Sequence, residues 1–322
     1  MRDPGPTDEQ AAMAEVVARL GAEIRAGAPA GPGPFPFPSA AWRRLGELGV
    51  LGIASTEGGG AGDVLAVNDA LGAASFPGPI SATLFALQIL DPDAAHPVSA
   101  GDELVSVCTG RWYPWGNDAN WLLVLDGAEV GVGRRLSPGP ATTSLTRATW
   151  AQPVIEPVTR RTVPPVARVL RDLAVAGYLS GAARACLADT AAHARQRRQF
   201  GRSLGEFQAV SHALARCDAA MASAAGLARQ SAWEWDHGSD AAERPALARR
   251  ACTSAALDAV LACHQVFGAM GFSEETGLWR TSTAVRELSL SWPDADADAL
   301  RAARAEGRRL AAEGARWRSA GY

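Results

Sequence analysis

Residues 195–208 read RQRRQFGRSLGEFQ, and this stretch joins two long segments with helical periodicity. Four arginines crowd the junction: Arg195, Arg197, Arg198 and Arg202. Gly201 can adopt the left-handed conformation that ends a helix, and Ser203 with Glu206 has the spacing of a capping box that begins the next one. Guanidinium groups beside the unpaired N–H groups of a helix N-terminus suit a phosphate or diphosphate. The stretch therefore predicts an anion-binding junction.

The arginines also have a simpler explanation, because basic side chains near a helix C-terminus offset its dipole and stay hydrated without any ligand. The surrounding pattern favours a binding site. It resembles the R-x-Q-F-G…F-Q signature of the acyl-CoA dehydrogenase family, with Arg197, Gln199, Phe200, Gly201, Phe207 and Gln208 in the matching places. The resemblance implies that four of these, Arg197, Gln199, Phe200 and Gln208, contact an FAD that a neighbouring subunit mainly holds.

A second block, HQVFGAMGF at residues 264–272, is similar to the family's Q-x-x-G-G-x-G turn around the FAD diphosphate and adenosine. Gln265, Gly268 and Gly271 keep their places, so the resemblance implies that they also bind the cofactor. Ala269 stands where the family prefers a second glycine. Its methyl group is expected to limit the approach of the backbone to the nucleotide and to disfavour a positive φ.

The amino-terminal third carries the same resemblance. Residues 42–62, WRRLGELGVLGIASTEGGGAG, are similar to the family's W-x-x-L-x-x-L-G-V helix and the glycine-rich loop after it. Residues 68–72 are similar to its E-x-L-G helix. A glycine cluster alone usually marks only a turn, but here the blocks follow one another in the family's order.

Periodicity and helix breakers divide the chain into three segments. Helices are predicted at residues 8–26, 39–48, 64–74 and 81–90, short strands at 104–108, 121–125 and 129–132, and long helices from 165 onward. The predicted fold is mostly α with a small β insert and is acyl-CoA dehydrogenase-like. It has an N-terminal helical domain (1–103), a shortened middle β domain (104–164) and a C-terminal four-helix bundle (165–322).

Composition excludes several classes of protein. The 322 residues include 31 Lys and Arg against 34 Asp and Glu, a net charge of −3, which does not predict a nucleic-acid partner. No apolar run approaches the roughly 20 residues of a membrane span, and the first ten residues do not resemble a signal peptide. The five cysteines lack metal-ligand spacing. We therefore expect a cytoplasmic protein without a membrane segment, a disulfide or a bound metal.

The resemblance implies that a carboxylate base removes the α-proton of an acyl-CoA thioester while the β-hydrogen passes to the flavin as a hydride. Counted from residues 264–272, the family's usual glutamate position falls on Trp292. Some relatives carry the base on the first helix of the bundle, and counting back from residues 197–201 gives Arg171. An indole cannot accept that proton, and a guanidinium stays protonated. We therefore predict that this chain supplies no catalytic residue.

The family features that this chain lacks, and those that it keeps, together point to a partner subunit. The β unit is short and has no counterpart of the family's T-E-P…G-S-D segment, whereas the residues that reach into a neighbour's FAD are retained. This asymmetry predicts a heterotetramer in which a longer homologue supplies the flavin pocket and the glutamate. The chain is similar in this respect to the paired, unequal subunits of actinobacterial acyl-CoA dehydrogenases that act on steroid side chains.

Two alternatives stay open. The chain could be a stand-alone dehydrogenase with a displaced base, for which Glu287, Glu274 and Glu275 are candidates, although a surface acid on a helix is the simpler explanation of each. It could also be a scaffold or binding module that keeps the fold but binds no flavin.

Overall fold

The computed structural model describes residues 5–26, 34–55, 59–239, 242–292 and 295–319, and most of them are helical. Five α-helices precede the strands: α1 (Asp8–Ala26), α2 (Ser39–Glu47), α3 (Ala61–Ala73), α4 (Ile80–Leu87) and α5 (Pro92–Ser99). Five follow them: α6 (Pro165–Gln196), α7 (Gln208–Asp236), α8 (Arg244–Phe267), α9 (Leu278–Leu290) and α10 (Ala295–Ser319). The mostly α fold with a small β insert is confirmed.

The β insert contains eight short strands: β1 (Val105–Cys108), β2 (Tyr113–Pro114), β3 (Trp121–Asp126), β4 (Glu129–Ser137), β5 (Ala141–Thr143), β6 (Thr149–Ala151), β7 (Val154–Ile155) and β8 (Thr159–Thr162). In the larger sheet β1 runs parallel to β3, and β3 forms an antiparallel hairpin with β4. β4 also pairs with β7 and β8. β2, β6 and β5 form a separate three-stranded antiparallel sheet. Both sheets lie between the two groups of helices along the chain.

Three helices differ from the predictions. α4 ends at Leu87, three residues before the predicted end, because the N–H groups of Gln88 and Ile89 bond back to the Phe85 and Ala86 carbonyls in the tighter i to i−3 pattern. α3 begins at Ala61, three residues before the predicted start, because the Asp236 carboxylate accepts hydrogen bonds from the N–H groups of Ala61 and Gly62 at 2.7 and 2.9 Å. A distant acidic side chain thus satisfies the first turn. α5 is not predicted by the sequence pattern, since Pro97 lies inside it and lacks the N–H group that a helix interior uses.

α6 is the central helix of the fold, and it contacts α3 closely. A Cβ atom on Gly181 of α6 would lie 1.8 Å from the Asp69 carbonyl oxygen, and one on Gly72 of α3 would lie 1.9 Å from the Tyr178 carbonyl oxygen. The two backbones therefore approach each other through reciprocal glycines. Gly72 is the glycine of the predicted E-x-L-G helix. Its close contact with the Tyr178 carbonyl gives this glycine a packing role.

The buried apolar side chains form one cluster that draws on all three predicted segments, including Leu45, Leu123 and Val260. α6 packs against α7, α8 and α9 in this cluster, and α8 also contacts α10. Because the core is continuous, it does not mark boundaries between independent units. The division at 103/104 and 164/165 stays a prediction.

One segment qualifies the expectation about membranes. By length and mean hydropathy alone, Arg244–Phe272 could cross a bilayer. Within it, however, Arg249 is 2% exposed and forms an ion pair with Asp172 of α6, with 3.1 Å between Nε and Oδ1. We therefore interpret α8 as a helix of the bundle.

The five cysteines are free thiols, and all but the partly buried Cys217 are buried. Burial raises the pKa of the Cys252 thiol to about 12, so this side chain is protonated and unreactive at neutral pH. In the part of the chain that the structure describes, no group of three or more His, Cys, Asp or Glu side chains could hold a metal ion.

Candidate functional site

The two blocks that predict a nucleotide site lie at the same end of the carboxyl-terminal bundle. The His193 ring, in the last turn of α6, stacks on the Phe267 ring at the end of α8, with centroids 4.3 Å apart. The segments that follow these helices, residues 197–208 and 268–272, therefore start from adjacent points. We refer to these two segments as the bundle end.

Residues 197–203 form a β-hairpin, which corrects the prediction that Gly201 ends α6. The helix stops five residues earlier, at Gln196. Two short strands follow, β9 (Arg198–Gln199) and β10 (Arg202–Ser203), and they pair antiparallel. Phe200 and Gly201 form the turn between them with φ values of +53° and +81°. Gly201 is left-handed as predicted, but it serves the two-residue hairpin turn, for which two positive φ values are required.

The predicted capping box is confirmed. The Ser203 N–H and hydroxyl groups donate to Glu206 Oε1 at 3.0 and 2.8 Å, around a single 3-10 turn at Leu204–Glu206. The backbone N–H and hydroxyl of Ser203 hold the pKa of the Glu206 carboxyl below its usual value. α7 then begins at Gln208. The box fixes the angle between the hairpin and α7.

The cofactor residues predicted in this segment all face solvent. The exposed side chains are Arg195, Arg197, Arg198, Gln199, Phe200, Arg202 and Gln208. Phe200 is 92% exposed, which is unusual for an aromatic ring. The guanidinium of Arg202 covers the Phe207 ring at 3.9 Å, and Arg198 donates to the Gly201 carbonyl at 2.9 Å. The hairpin thus presents its basic and aromatic side chains outward.

The glycine turn at residues 268–272 is a 3-10 turn after α8. Gly268 has a φ of +59°, so the left-handed position belongs to this glycine. Ala269 has no positive φ, so its methyl group carries no penalty of that kind, and its expected effect on the approach to the nucleotide stays a prediction. Gly271 is buried, whereas Gln265 and Gly268 are exposed. A Cβ atom on Gly271 would lie 3.2 Å from both His264 Nδ1 and Phe267 Cβ, so a side chain there would require these neighbours to shift by a few tenths of an ångström.

A cavity of about 350 Å³ lies away from these residues, between the loop before α4, the loop after β1, and α9. Its aromatic lining consists of Phe35, Phe76, Trp112, Trp115, Trp150, Tyr178, Trp279 and Trp292. None of the seven predicted cofactor residues is among the lining residues. The structure therefore separates the predicted cofactor residues from the chain's own cavity.

The two positions to which the sequence counts assign the family's base come together in space. The Arg171 guanidinium lies over the Trp292 ring at 5.0 Å, and both side chains are almost fully buried. Arg171 forms an ion pair with Asp172 at 2.7 Å, and Asp172 also pairs with Arg249 at 3.1 Å. The Asp172 carboxylate is therefore held between two cations. It is not placed to serve as a free proton acceptor.

The three candidate displaced bases occupy different environments. Glu287 is the only carboxylate among the residues that line the cavity, and it accepts hydrogen bonds from Thr146 N–H and Oγ1–H at 3.1 and 3.0 Å. Glu274 forms an ion pair with Arg147 and is half exposed. Glu275 is exposed. Glu287 alone of the three combines a carboxylate with access to the cavity.

Sequence reasoning missed several residues of this region. Asp172 and Arg249 form the buried ion pairs, and the apolar helices around them give no signal of a partner. His264 was quoted only as part of the glycine block, yet its ring lies under that turn. The loop after β1 also lines the cavity, with Thr109, Trp112 and Trp115 among the lining residues, although the β unit has no counterpart of the T-E-P…G-S-D segment.

Comparison with known proteins places this geometry in a family. Residues 171–290 match the family model described as acyl-CoA dehydrogenase, C-terminal domain. The chain is also 31% identical over 278 residues to acyl-CoA dehydrogenase FadE34 of Mycobacterium tuberculosis. The chain belongs to the acyl-CoA dehydrogenase family. The match to FadE34 covers 73% of this chain but only 38% of FadE34, so the chain spans less than half the length of that relative.

Solved structures of acyl-CoA dehydrogenase family members share the fold over nearly the whole chain. The structure of the Tcur3481-Tcur3483 steroid ACAD G363A variant superposes with a TM-score of 0.77 at 21% identity, covering 96% of this chain and 99% of the other. The ChsE4-ChsE5 complex from Mycobacterium tuberculosis superposes with a TM-score of 0.76, with the same identity and coverage. At this identity the likeness establishes the acyl-CoA dehydrogenase fold.

Proposed function

We propose that this chain is the partner subunit of a heteromeric, FAD-dependent acyl-CoA dehydrogenase. It supplies no catalytic base, and it completes the FAD site of a longer homologue with which it forms a cytoplasmic heterotetramer. One observation carries the proposal: five of the seven cofactor residues are exposed at the bundle end, Gln265 is exposed on the last turn of α8 beside it, and none of the seven lines the chain's own cavity. Such residues can complete a site only in a neighbouring molecule.

The bundle end fits the chemistry of a flavin dinucleotide. The exposed guanidinium of Arg197 suits a diphosphate oxygen, and charge-assisted hydrogen bonds of this kind are the stronger ones. The side-chain amides of Gln199, Gln208 and Gln265 can donate and accept hydrogen bonds. The exposed Phe200 ring offers a flat apolar face. When bound, FAD would supply the hydride acceptor, and these residues would hold it across the subunit interface.

The base must come from the partner in this proposal. Arg171 and Trp292 occupy the positions of the base, and they fill that space with a stacked cation and indole. Two structural neighbours each consist of two differently named components, Tcur3481-Tcur3483 and ChsE4-ChsE5. The reaction would be α,β-dehydrogenation of an acyl-CoA thioester. A steroid side-chain CoA ester is the proposed substrate class, since the Tcur3481-Tcur3483 neighbour is a steroid ACAD.

The test is to purify the chain alone and together with a longer acyl-CoA dehydrogenase homologue encoded beside it. We expect flavin absorbance and dye-linked acyl-CoA oxidation only in the co-purified complex. A yellow, active single chain would contradict the partner role. Absence of flavin from both preparations would instead support the flavin-free scaffold.

Replacing Arg197 with alanine should weaken FAD retention in the complex by roughly 10- to 100-fold, because a lost hydrogen bond to a charged group costs about 1.5–3 kcal/mol. The measurement is FAD release on dilution, followed by flavin fluorescence. Arg43→Ala is the matched control, since Arg43 is a solvent-exposed arginine on α2 with a 61% exposed side chain. Equal retention in the two variants would remove Arg197 from the site.

A second candidate function is a stand-alone dehydrogenase with Glu287 as its base, and it rests on the position of this carboxylate in the cavity wall. Glu287→Gln distinguishes the two functions, because glutamine cannot accept the α-proton. In the partner subunit the variant should leave the activity of the complex within about twofold. In a stand-alone enzyme it should lower kcat by at least 100-fold, the usual contribution of a general base.

A further inference from the structure

The chain's own cavity, which the proposed function leaves without a role, is lined by several indole rings. Five of the lining residues are tryptophans: Trp112, Trp115, Trp150, Trp279 and Trp292. The Nε1 atoms of Trp150, Trp279 and Trp292 are buried and have no hydrogen-bond partner among the described residues. Buried N–H groups in folded proteins nearly always have an acceptor. Three such donors around one cavity therefore indicate a ligand that brings the acceptor with it.

We propose that this cavity is a binding site for a small, uncharged aromatic ketone, whose carbonyl group accepts hydrogen bonds from the indole N–H groups of the wall. The inference goes beyond the proposed function, because that function uses the bundle end and requires no ligand here. The flat aromatic side chains of the wall suit a flat ring system, against which they can stack with an offset or meet edge to face.

The volume of the cavity sets the size of this ligand. An apolar protein cavity of about 150 Å³ holds one benzene molecule. A volume of about 350 Å³ therefore fits a molecule a little more than twice that size, such as a ketone on two fused aromatic rings. A dinucleotide or a complete CoA thioester is much larger than this. The cavity thus suits a compact molecule that carries no nucleotide.

The charges around the cavity favour an uncharged ligand. Guanidinium groups already lie over two of the indoles, with Arg147 at 4.2 Å from the Trp279 ring centroid and Arg171 at 5.0 Å from that of Trp292. A cationic ligand at these rings would meet like charge, and an ammonium group offers the indole N–H groups no acceptor. An anionic ligand would share the cavity with the carboxylate of Glu287, which would repel it.

The first experiment titrates 2-acetonaphthone into the purified chain without FAD and measures binding by calorimetry. We expect one site per chain with a Kd of about 100 µM or lower, from the usual free energy per ligand atom. 2-Naphthoate and trimethyl(2-naphthyl)ammonium are the anionic and cationic counterparts of this probe, and each should bind at least about 10-fold more weakly. Absence of ketone binding up to about 1 mM, or tighter binding of either ion, would overturn the proposal.

The second experiment tests the hydrogen bonds themselves. Among the signals of the ten tryptophans, the indole N–H resonances of the three unpartnered rings should move downfield in the ¹⁵N–¹H NMR spectrum when the ketone binds. Trp279→Phe keeps a ring but removes the N–H, and it should weaken ketone binding by about 5- to 10-fold. Trp233→Phe is the matched control, since Trp233 is 45% exposed on α7 and does not line the cavity. If no indole signal of the wild-type chain moves, the proposal fails whether or not the variants fold.

A competition experiment separates this site from a substrate site. Octanoyl-CoA should leave the affinity for 2-acetonaphthone unchanged. Displacement of the ketone would assign the cavity to an acyl chain, which would overturn the proposal and favour the stand-alone dehydrogenase. Because none of these measurements uses FAD, a co-purified complex without flavin would refute the proposed function and leave the test of the cavity intact.

Discussion

Replacing Asp172 with alanine should lower the free energy of unfolding by about 3–5 kcal/mol, the usual cost of removing one partner from a buried ion pair. Asp172 is 2% exposed, and its Oδ1 atom lies 2.7 Å from Arg171 Nη2 and 3.1 Å from Arg249 Nε. Both arginines are also nearly fully buried. Without this carboxylate, each guanidinium loses an anionic contact in an environment that solvates charge poorly. The loss should appear as a lower urea midpoint at pH 7.

Two companion variants make the interpretation specific. Asp218→Ala removes a carboxylate from the exposed face of α7, and its effect should stay within about 0.5 kcal/mol. The triple variant Arg171→Met, Asp172→Leu, Arg249→Met removes all three charges, and it should recover much of the lost stability, since apolar residues often replace buried ion networks at little cost. A loss below about 1 kcal/mol for Asp172→Ala would show that the carboxylate does not hold α6 and α8 together.

Replacing Gly181 with alanine should destabilise the protein by about 3 kcal/mol, at the upper end of the range for an overpacked core. The new Cβ atom would lie 1.8 Å from the Asp69 carbonyl oxygen and 2.9 Å from the Ala73 nitrogen. Both contacts are backbone atoms, so no side-chain rotation can relieve them. α3 and α6 would have to move apart, and the apolar contacts between them would be lost with that movement. Thermal unfolding followed by circular dichroism measures the effect.

Gly226→Ala is the matched control for this second variant. Gly226 also lies inside a long helix, but a Cβ atom there would meet only Arg229 Nη2, at 3.9 Å. Alanine is a better helix former than glycine, so this change should stabilise the protein by about 0.5–1 kcal/mol. The two glycine substitutions should therefore shift the midpoint in opposite directions. A shift of the same sign and size in both would contradict the close approach of α3 and α6.

The buried ion pairs also bear on the functional proposal. Arg171 and Trp292 are far apart in the chain, and each was identified as a base position by counting from a different block. Their stacking at 5.0 Å shows that both counts lead to one place in the fold. The absence of a carboxylate at both positions is therefore a single local property of this subunit. It agrees with a partner that supplies the base.

Some parts of the candidate site could be predicted from the sequence and others could not, and the reason differs between them. The capping box of Ser203 and Glu206 depends on residues three apart, and such local chemistry is readable from a sequence. The end of α6 at Gln196 was misplaced, because a hairpin and a helix C-cap both use a left-handed glycine. The positive φ of the glycine turn falls on Gly268, and the residue types alone could not show which position of the turn would adopt it.

The sequence alone determined the alternation of helical and strand segments and the two family-like blocks at residues 195–208 and 264–272, because each depends on periodicity or on residue type at short spacing. Only the tertiary structure decided that the two blocks share one end of the bundle and face away from the chain's own cavity. It alone also decided that Gly72 and Gly181 let two helices touch, and that Asp172 holds two buried arginines. Those properties arise from contacts between residues far apart in the chain, and no local pattern specifies which distant surfaces will meet.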